Sequence, residues 1–284
     1  MNDRRMGALV GAIVGDLLGI PFEFSDPAVI PAAPLMASGG GPFNFPPGVG
    51  SDDTDLLLNS IYSYGGNGYD ANAALDGMLA WYRSGPRDIG TQTEYSLSKW
   101  ADYVTPEDDE DAQGNGGVMR AAAHGIMGSS LYFATQDAAD DTSLTHPSQV
   151  AMEISGHQAG IVWKLINTPD IYPERIVAPR SGLTLAMRAL LRPYSEDVSE
   201  ISGHCVHTIR LAQHILLTST DFRDIERAIR TGGDTDTNGC VAGALLGARY
   251  GEQAIPLVWR DAIAPELRDK IETLREQWKE KEAA

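Results

Sequence analysis

GGDTDTNGCVAGALLGARYG, residues 232–251, decides the fold more than any other stretch of this sequence. Four of its glycines recur at every fourth position: Gly239, Gly243, Gly247 and Gly251. A second segment, GALVGAIVGDLLG at residues 7–19, has the same spacing. Residues four apart share one face of a helix, and glycine there costs roughly 1 kcal/mol relative to alanine. The two segments therefore predict helices that pack very closely in the core.

Close packing of the two segments would also gather acidic residues. If they pack on each other, they bring Asp16, Glu23 and the turn at Asp234 into one neighbourhood. The same small-residue spacing packs membrane helices, but Asp16 and the flanking charges argue against a lipid environment. We therefore expect a core helix pair and no membrane span.

Helical spacing and strong helix formers dominate the rest of the chain, and no run of alternating strands is present. The sequence therefore predicts an all-α protein, a single domain of residues 1–284, with long loops at 20–53 and 103–120. The predicted helices cover residues 6–18, 54–64, 71–83, 148–166, 182–191, 201–217, 226–230, 238–250 and 265–282.

Composition limits the function classes. The formal net charge of the 284-residue chain is −17, and such a surface repels phosphate backbones, so general nucleic-acid binding is not expected. The N-terminal segment does not have the pattern of a signal peptide. Cys205 and Cys240 form no CxxC pattern and predict no disulfide framework, which fits a cytoplasmic location. The chain is large enough to stand as a monomer.

Two acidic turns each precede an apolar, helix-forming run. The first contains Ser51, Asp52, Asp53, Thr54 and Asp55, and the second contains Asp234, Thr235, Asp236 and Thr237. Helix capping alone explains one such turn, but two turns hold more carboxylates than caps use. Gathered carboxylates repel one another unless a cation is present. Their oxygen donors favour hard cations such as Mg²⁺, Mn²⁺ or Ca²⁺, and their number suggests two metal ions.

Two further segments carry candidate ligand-binding residues. Gly114, Asn115, Gly116 and Gly117 precede a short apolar run, and successive glycines let a backbone approach a ligand and cradle a phosphate. A plain turn is the simpler interpretation of that segment. His146 lies just before a proline, where a histidine most often has a structural role.

Taken together, these motifs resemble one family. GALVGAIVGDLLGIPFEF, GVGSDDTD, GNGGVMR, LTHP and GGDTDTN occur in the order found in the ADP-ribosylglycohydrolases, the family of dinitrogenase reductase-activating glycohydrolase. The resemblance runs from about residue 6 to residue 251. It implies a compact orthogonal helical bundle, two Mg²⁺ or Mn²⁺ ions, and cleavage at C1″ of ADP-ribose. The implied substrate is an ADP-ribosylated protein, with arginine favoured, or a small molecule.

The resemblance also assigns residues. The implied metal ligands are Ser51, Asp52, Asp53, Asp234, Asp236 and Thr237. Glu23 matches the family's glutamate in the first loop and is expected to bind metal at rest and to act as acid or base during turnover. Asp53 and Asp236 are expected to orient the metals. Gly114, Asn115, Gly116 and His146 are expected to contact the phosphates and the distal ribose.

The sequence departs from the family pattern in two places. Asp55 stands where members often carry Gln, Glu or a small residue, and it is not an expected ligand. An acidic run at 107–111 precedes the GNGG loop, and it is either a solvated loop or a substrate selector. Both departures affect the choice of substrate more than the chemistry.

Other functions remain open at this stage. A two-metal phosphohydrolase acting on a nucleotide or an ADP-ribose-like substrate would use a similar metal centre. A non-catalytic ADP-ribose binder is a second alternative, although intact metal turns argue against it. A zinc site at His204, Cys205, His207 and His214 is geometrically allowed, but core histidines are commoner.

Overall fold

Helices make up most of the protein. The computed structural model describes residues 3–178 and 203–283. Its helices are α1 (Asp3–Gly19), α2 (Asp52–Tyr62), α3 (Ala71–Arg83), α4 (Thr91–Ala101), α5 (Gly116–Arg120), α6 (Ala122–Met127), α7 (Leu131–Ser143), α8 (Gln149–Asn167), α9 (Pro173–Ile176), α10 (Cys205–Thr218), α11 (Ile225–Ile229), α12 (Thr235–Tyr250), α13 (Leu257–Asp261) and α14 (Pro265–Ala283). Short 3₁₀ turns lie at Ile20–Phe22, Pro27–Val29, Phe222–Asp224 and Glu252–Ala254. An antiparallel hairpin pairs β1 (Tyr64–Gly65) with β2 (Gly68–Tyr69). The all-α prediction is confirmed.

The two glycine-spaced helices pack directly on each other, backbone against backbone. Gly7 lies opposite Gly247, Gly11 opposite Gly243 and Gly15 opposite Gly239, so α1 and α12 run antiparallel. A Cβ atom built on Gly15 would lie 2.0 Å from the carbonyl oxygen of Gly239. No real side chain tolerates that distance, so glycine is required. The predicted close packing is therefore confirmed, and each helix is the other's partner.

The core surrounds this helix pair. Every residue of α1 from Met6 to Gly19 is buried, as is every residue of α12 from Thr235 to Ala248. One hydrophobic cluster takes side chains from the whole described chain, between Met6 and Trp278. The packing thus joins the first and last helices of the sequence around one central contact.

One stretch of the described residues, Asp3–Phe22, is long and apolar enough to cross a membrane by length and composition. The protein itself buries 83% of its apolar window. That degree of burial is what the core helix of a folded domain shows, because its whole surface is covered by other helices.

Several helices differ from the sequence prediction. Helix α12 begins at Thr235, not at residue 238, so Asp236 and Thr237 lie in its first turn. Helices α4 and α7 were not predicted, because they bury few large apolar residues: α4 buries only Thr93, Ser96 and Leu97. Helix α5 begins inside the GNGG segment, which was expected to be a loop. The helix predicted at 182–191 lies outside the described residues.

A buried ion pair lies at the N-terminal side of the core, between α5 and α7. Arg120 is fully buried, and its Nε donates to Asp141 Oδ2 at 2.5 Å. Its remaining guanidinium nitrogens donate to the carbonyl oxygens of Gly116 and Asp141. Burial by itself would raise the pKa of Asp141, but Arg120 and His124 hold it below its ordinary value of 3.8. The pair therefore fixes α5 against α7.

The α1–α12 contact should be sensitive to a single methyl group. We expect Gly15→Ala to lower the free energy of unfolding by at least about 1–3 kcal/mol, because overpacking forces the two backbones apart. Urea denaturation measures the change. The control is Gly66→Ala in the hairpin turn, where an added Cβ meets no atom within 4 Å. Equal stability of the two variants would contradict the packing argument.

The Arg120–Asp141 pair should behave as a buried charge pair. We expect Asp141→Asn to cost about 3–5 kcal/mol at neutral pH, because it leaves a buried guanidinium without its counter-charge. Glu272→Gln, which removes the exposed partner of Arg275, should cost no more than about 1 kcal/mol.

The pH dependence of that stabilisation follows from the direction of the pKa shift. A carboxylate with a depressed folded-state pKa stabilises the fold above its unfolded-state pKa and loses this contribution as the pH falls. The difference in unfolding free energy between wild type and Asp141→Asn should therefore shrink below about pH 4. A difference that stays constant down to about pH 2 would contradict this role for the ion pair.

Candidate active site

The two acidic turns meet at one end of the glycine-packed helix pair. Thr235 Oγ1 donates to the carbonyl oxygen of Gly19 at 2.7 Å, which ties the start of α12 to the end of α1. Thr237 Oγ1 donates to Asp53 Oδ2 at 3.1 Å, which joins the second acidic turn to the first. The predicted neighbourhood of these segments is therefore present.

Ser51 caps the helix that follows the first acidic turn. The sequence alone did not say which residue of that turn is the cap. Its Oγ accepts from the backbone N–H of Asp53 at 3.2 Å, so the carboxylates are not needed as caps. Asp16, fully buried on α1, accepts from the N–H of Ser51 at 3.0 Å and from the hydroxyl of Thr54. Asp53 and Asp52 are therefore positioned by the helix start and remain available for other ligands.

Two backbone hydrogen bonds hold the segment that carries Glu23 beside the second acidic turn. The N–H of Phe24 donates to the carbonyl oxygen of Gly233 at 2.6 Å, and the N–H of Gly233 donates to Ser25 at 3.1 Å. Gly232 and Gly233 have φ angles of 75° and 70°, which favour glycine. The glycine pair before the acidic turn thus bends the chain so that its backbone can pair with the segment that carries Glu23.

The GNGG segment forms the opposite wall. Asn115 Nδ2 donates to Asp234 Oδ2 at 2.7 Å, and its backbone N–H donates to Gly203 at 2.8 Å. An added Cβ on Gly116 would lie 2.6 Å from Cε1 of His146, and one on Gly114 would lie 2.9 Å from its Nε2. The predicted glycine loop and the predicted histidine are therefore packed against each other.

These walls enclose a cleft of about 390 Å³. The predicted site residues that line it are Glu23, Asp52, Asp53, Gly114, Asn115, Gly116, His146, Asp234, Asp236 and Thr237. Ser51 is the exception, since it is buried behind the lining as a helix cap. No lysine or arginine lines the cleft among residues 3–178 and 203–283.

Asp88 lines the cleft too, and the sequence interpretation missed it. Carboxylate oxygens of Glu23, Asp88 and Asp236 lie within 4.8 Å of one another. Asp88 lies between Pro86 and Gly90, two residues before the N-cap of α4. Because α4 itself was not predicted, the sequence did not show that this segment precedes a helix.

The carboxylates raise each other's pKa values. Burial, and then the charges of Asp88, Asp234 and Asp52, raise the pKa of Glu23 to about 9. Burial and Asp234 raise the pKa of Asp88 to about 6.

Three further carboxylates of the cleft also have raised pKa values. The pKa values of Asp52, Asp53 and Asp236 are well above 3.8, first because of burial and then because of neighbouring carboxylates. The cleft therefore concentrates negative charge that no protein cation offsets within the described residues.

Unsatisfied oxygen atoms of two lining carboxylates are compatible with a hard cation in the cleft. Glu23 Oε2 and Asp53 Oδ1 are buried and have no hydrogen-bond partner among the described residues. Buried polar atoms without partners are rare and call for an unseen ligand. All donors of the lining acids and hydroxyls are oxygens, which suits Mg²⁺ or Mn²⁺ better than zinc.

The remaining sequence candidates lie outside the cleft. Asp55 is exposed and accepts from Trp81 Nε1 at 3.0 Å. The acidic run at 107–111 is exposed and does not line the cleft. His204 caps α10 by accepting from the N–H of Val206, and it pairs with Gln113. These contacts give His204 a structural role in place of the zinc site considered above.

Comparisons with known proteins agree with this arrangement. The family model "ADP-ribosylglycohydrolase" matches residues 1–284. The ADP-ribosylarginine hydrolase Tri1 of Serratia proteamaculans (strain 568) is 29% identical over 97% of this chain and 78% of the relative. The ADP-ribosyl-[dinitrogen reductase] glycohydrolase of Rhodospirillum rubrum is 27% identical over 96% of both chains.

A solved structure has the same fold. It is described as an ADP-ribosylglycohydrolase-related protein complex, with a TM-score of 0.79 and 31% identity over 96% of this chain and 95% of that one. The whole-chain family match and this structural likeness confirm the family resemblance that the sequence motifs indicated. The chain belongs to the ADP-ribosylglycohydrolase family and is a hydrolase.

Proposed function

We propose that this protein is a metal-dependent hydrolase that removes ADP-ribose from the guanidinium group of modified arginine by cleaving the bond to C1″. The observation that carries the proposal is the acidic cleft, which combines six lining carboxylates with buried, unpartnered oxygens of Glu23 and Asp53. Gathered carboxylates repel one another unless a cation is present, which supports a cation-dependent reaction.

The arginine acceptor is supported by charge and by the relatives. A guanidinium group is a permanent cation, and Asp88, a lining carboxylate that is not an assigned metal ligand, provides negative charge in the cleft wall. The relatives from Serratia proteamaculans and Pseudomonas putida are both named ADP-ribosylarginine hydrolases. An acceptor that carries a positive charge therefore fits the cleft better than a neutral serine.

Two divalent cations, Mg²⁺ or Mn²⁺, would be held by Asp52, Asp53, Asp234, Asp236 and Thr237, with Glu23 as a further ligand. When bound, they supply positive charge and Lewis acidity toward the ribose hydroxyls and a water molecule. The protein's own contribution is to fix the carboxylates: Thr237 orients Asp53, and Asn115 orients Asp234.

We assign proton transfer to the carboxylates near the reacting bond. In the proposed hydrolysis a water oxygen bonds to C1″, and the bonding electron pair leaves with the acceptor nitrogen, which gains a proton. Glu23 lies with Asp88 and Asp236 in one cluster of carboxylate oxygens. Cations in the cleft would offset the neighbouring carboxylates that raise the pKa of Glu23, so that Glu23 is ionised and accepts the proton from water. Asp88 is placed to exchange a proton with the leaving group.

Backbone atoms hold the rest of the ligand. Gly114 and Gly116 present main-chain groups without side chains at the wall of the cleft, and His146 lies directly behind them. This wall suits the phosphates and the distal ribose of ADP-ribose, because backbone N–H groups can supply hydrogen bonds where the described lining has no lysine or arginine.

Metal binding should depend on the acids in the cleft and not on acids nearby in sequence. We expect titration calorimetry to detect Mn²⁺ binding to the wild type, with affinity lowered more than about tenfold in Asp236→Asn. Asp55→Asn is the matched control, because Asp55 belongs to the first acidic sequence cluster but is exposed outside the cleft. Equal loss in both variants would contradict the assigned ligands.

Catalysis should depend on Glu23. We expect Glu23→Gln to lower kcat for ADP-ribosyl-arginine about 10²–10⁴-fold while leaving the thermal stability unchanged, because it removes an acid–base group. Glu107→Gln in the exposed acidic run should leave kcat unchanged. Full activity of Glu23→Gln would rule out the assigned role.

A release assay distinguishes the proposed function from its alternatives. The wild type is given ADP-ribosyl-arginine, ADP-ribosyl-serine or ADP-ribose-1″-phosphate, each with Mg²⁺, Mn²⁺ or EDTA. We expect metal-dependent release of ADP-ribose from the arginine substrate. Phosphate release with the arginine substrate untouched would establish a phosphohydrolase, and tight ADP-ribose binding without any turnover would establish a non-catalytic binder.

A further inference from the structure

The hydrogen bonds around Thr145 fix the protonation pattern of His146. Thr145 Oγ1 lies 3.0 Å from Arg120 Nη2 and 2.9 Å from His146 Nδ1. Arginine is always a donor, so the Thr145 hydroxyl accepts from Arg120. Among the described residues, its own proton then has one acceptor within reach, which is Nδ1 of His146. The remaining proton of a neutral imidazole is therefore on Nε2.

The opposite tautomer would leave a buried donor without a partner. If Nδ1 carried the proton, Thr145 would accept from both neighbours and its hydroxyl proton would have no acceptor among the described residues. Thr145 is fully buried, so that unmade bond would not be replaced by bulk water. Burial and the charge of Arg120 also lower the pKa of His146 to about 3, which keeps the ring neutral.

The groups behind Thr145 are held on every side. Arg120 donates to Asp141 Oδ2, to the carbonyl oxygen of Asp141 and to that of Gly116. The second oxygen of Asp141 accepts from Tyr69 at 2.8 Å. Arg120 therefore has no freedom to release Thr145, and the orientation of the hydroxyl is set by the fold.

The Nε2 edge of His146 lies at the wall of the cleft. Nε2 has no hydrogen-bond partner within residues 3–178 and 203–283, while the ring packs against Gly114 and Gly116. Any side chain on these glycines would collide with the ring, as the distances of 2.9 Å and 2.6 Å to a built Cβ show. The Nε2 atom of this buried ring thus lies beside the two glycines of the cleft wall.

We propose that Thr145, held by Arg120 and Asp141, is a positioning residue that locks His146 in the neutral Nε2–H form, so that Nε2–H donates to an oxygen of ADP-ribose. The inference rests on the proposed function for the identity of the ligand. Its structural half, the tautomer, does not depend on the ligand. Thr145 acts through His146 and touches no reacting atom.

Ring nitrogen shifts of His146 test the structural half directly. In ¹⁵N NMR spectra of the wild type without substrate, we expect His146 in the Nε2–H form across about pH 5–8. The resonance is assigned by its loss in His146→Gln. A wild-type ring in the Nδ1–H form, or a ring that protonates in this range, would overturn the proposal without any variant of Thr145.

Two substitutions test the role of the hydroxyl. Thr145→Val keeps the shape and removes the hydroxyl, while Thr145→Ser keeps the hydroxyl and removes a methyl group. We expect Thr145→Val to show mixed tautomers and a Kd for ADP-ribose roughly 3–10-fold weaker, as befits one misdirected hydrogen bond. Thr145→Ser should retain the wild-type tautomer and affinity. Wild-type behaviour of Thr145→Val would overturn the proposal.

These experiments distinguish a failure of the proposed function from a failure of the role proposed for Thr145. If the wild type does not bind or release ADP-ribose, the proposed function fails, while the tautomer measurements still decide the role of Thr145. If ADP-ribose binds and is released but Thr145→Val changes neither tautomer nor Kd, the proposed function stands and the positioning role fails.

Discussion

The backbone contact between α1 and α12 is the constraint on which the rest of the structure depends. Gly15 and Gly239 approach so closely that neither has room for a Cβ atom. The same contact places the end of α1 against the start of α12, where Thr235 binds the carbonyl oxygen of Gly19. The first and last thirds of the chain therefore deliver their acidic residues to one point.

That geometry has an electrostatic cost. The acids of the cleft are buried beside one another, and the pKa of Glu23 rises to about 9 as a result. Such an arrangement stores repulsion that a bound cation relieves, so ligand binding and local stability are linked. The apolar core and the glycine contact supply the stability that lets the carboxylates remain gathered.

The wall opposite the carboxylates is backed by a neutralised ion pair and not by a cluster of like charges. There, Arg120 and Asp141 neutralise each other deep in the core, and their hydrogen bonds extend through Thr145 to His146. The cleft therefore has buried carboxylates on one side and, on the other, a wall whose charges are neutralised within the core.

The sequence by itself determined the close helix pair and the two acidic turns at helix starts, because these rest on local spacing, while the ligand roles of the GNGG segment and His146 came from the family resemblance. It raised capping for the first acidic turn without assigning it to Ser51 alone, and it did not reveal Asp88 or helices α4 and α7. Helix α4 buries small and polar residues, so its apolar period is weak, and Asp88 joins Glu23 and Asp236 only through folding. Distances between segments far apart in the chain are set by packing, and so is the hydrogen-bond direction that fixes His146.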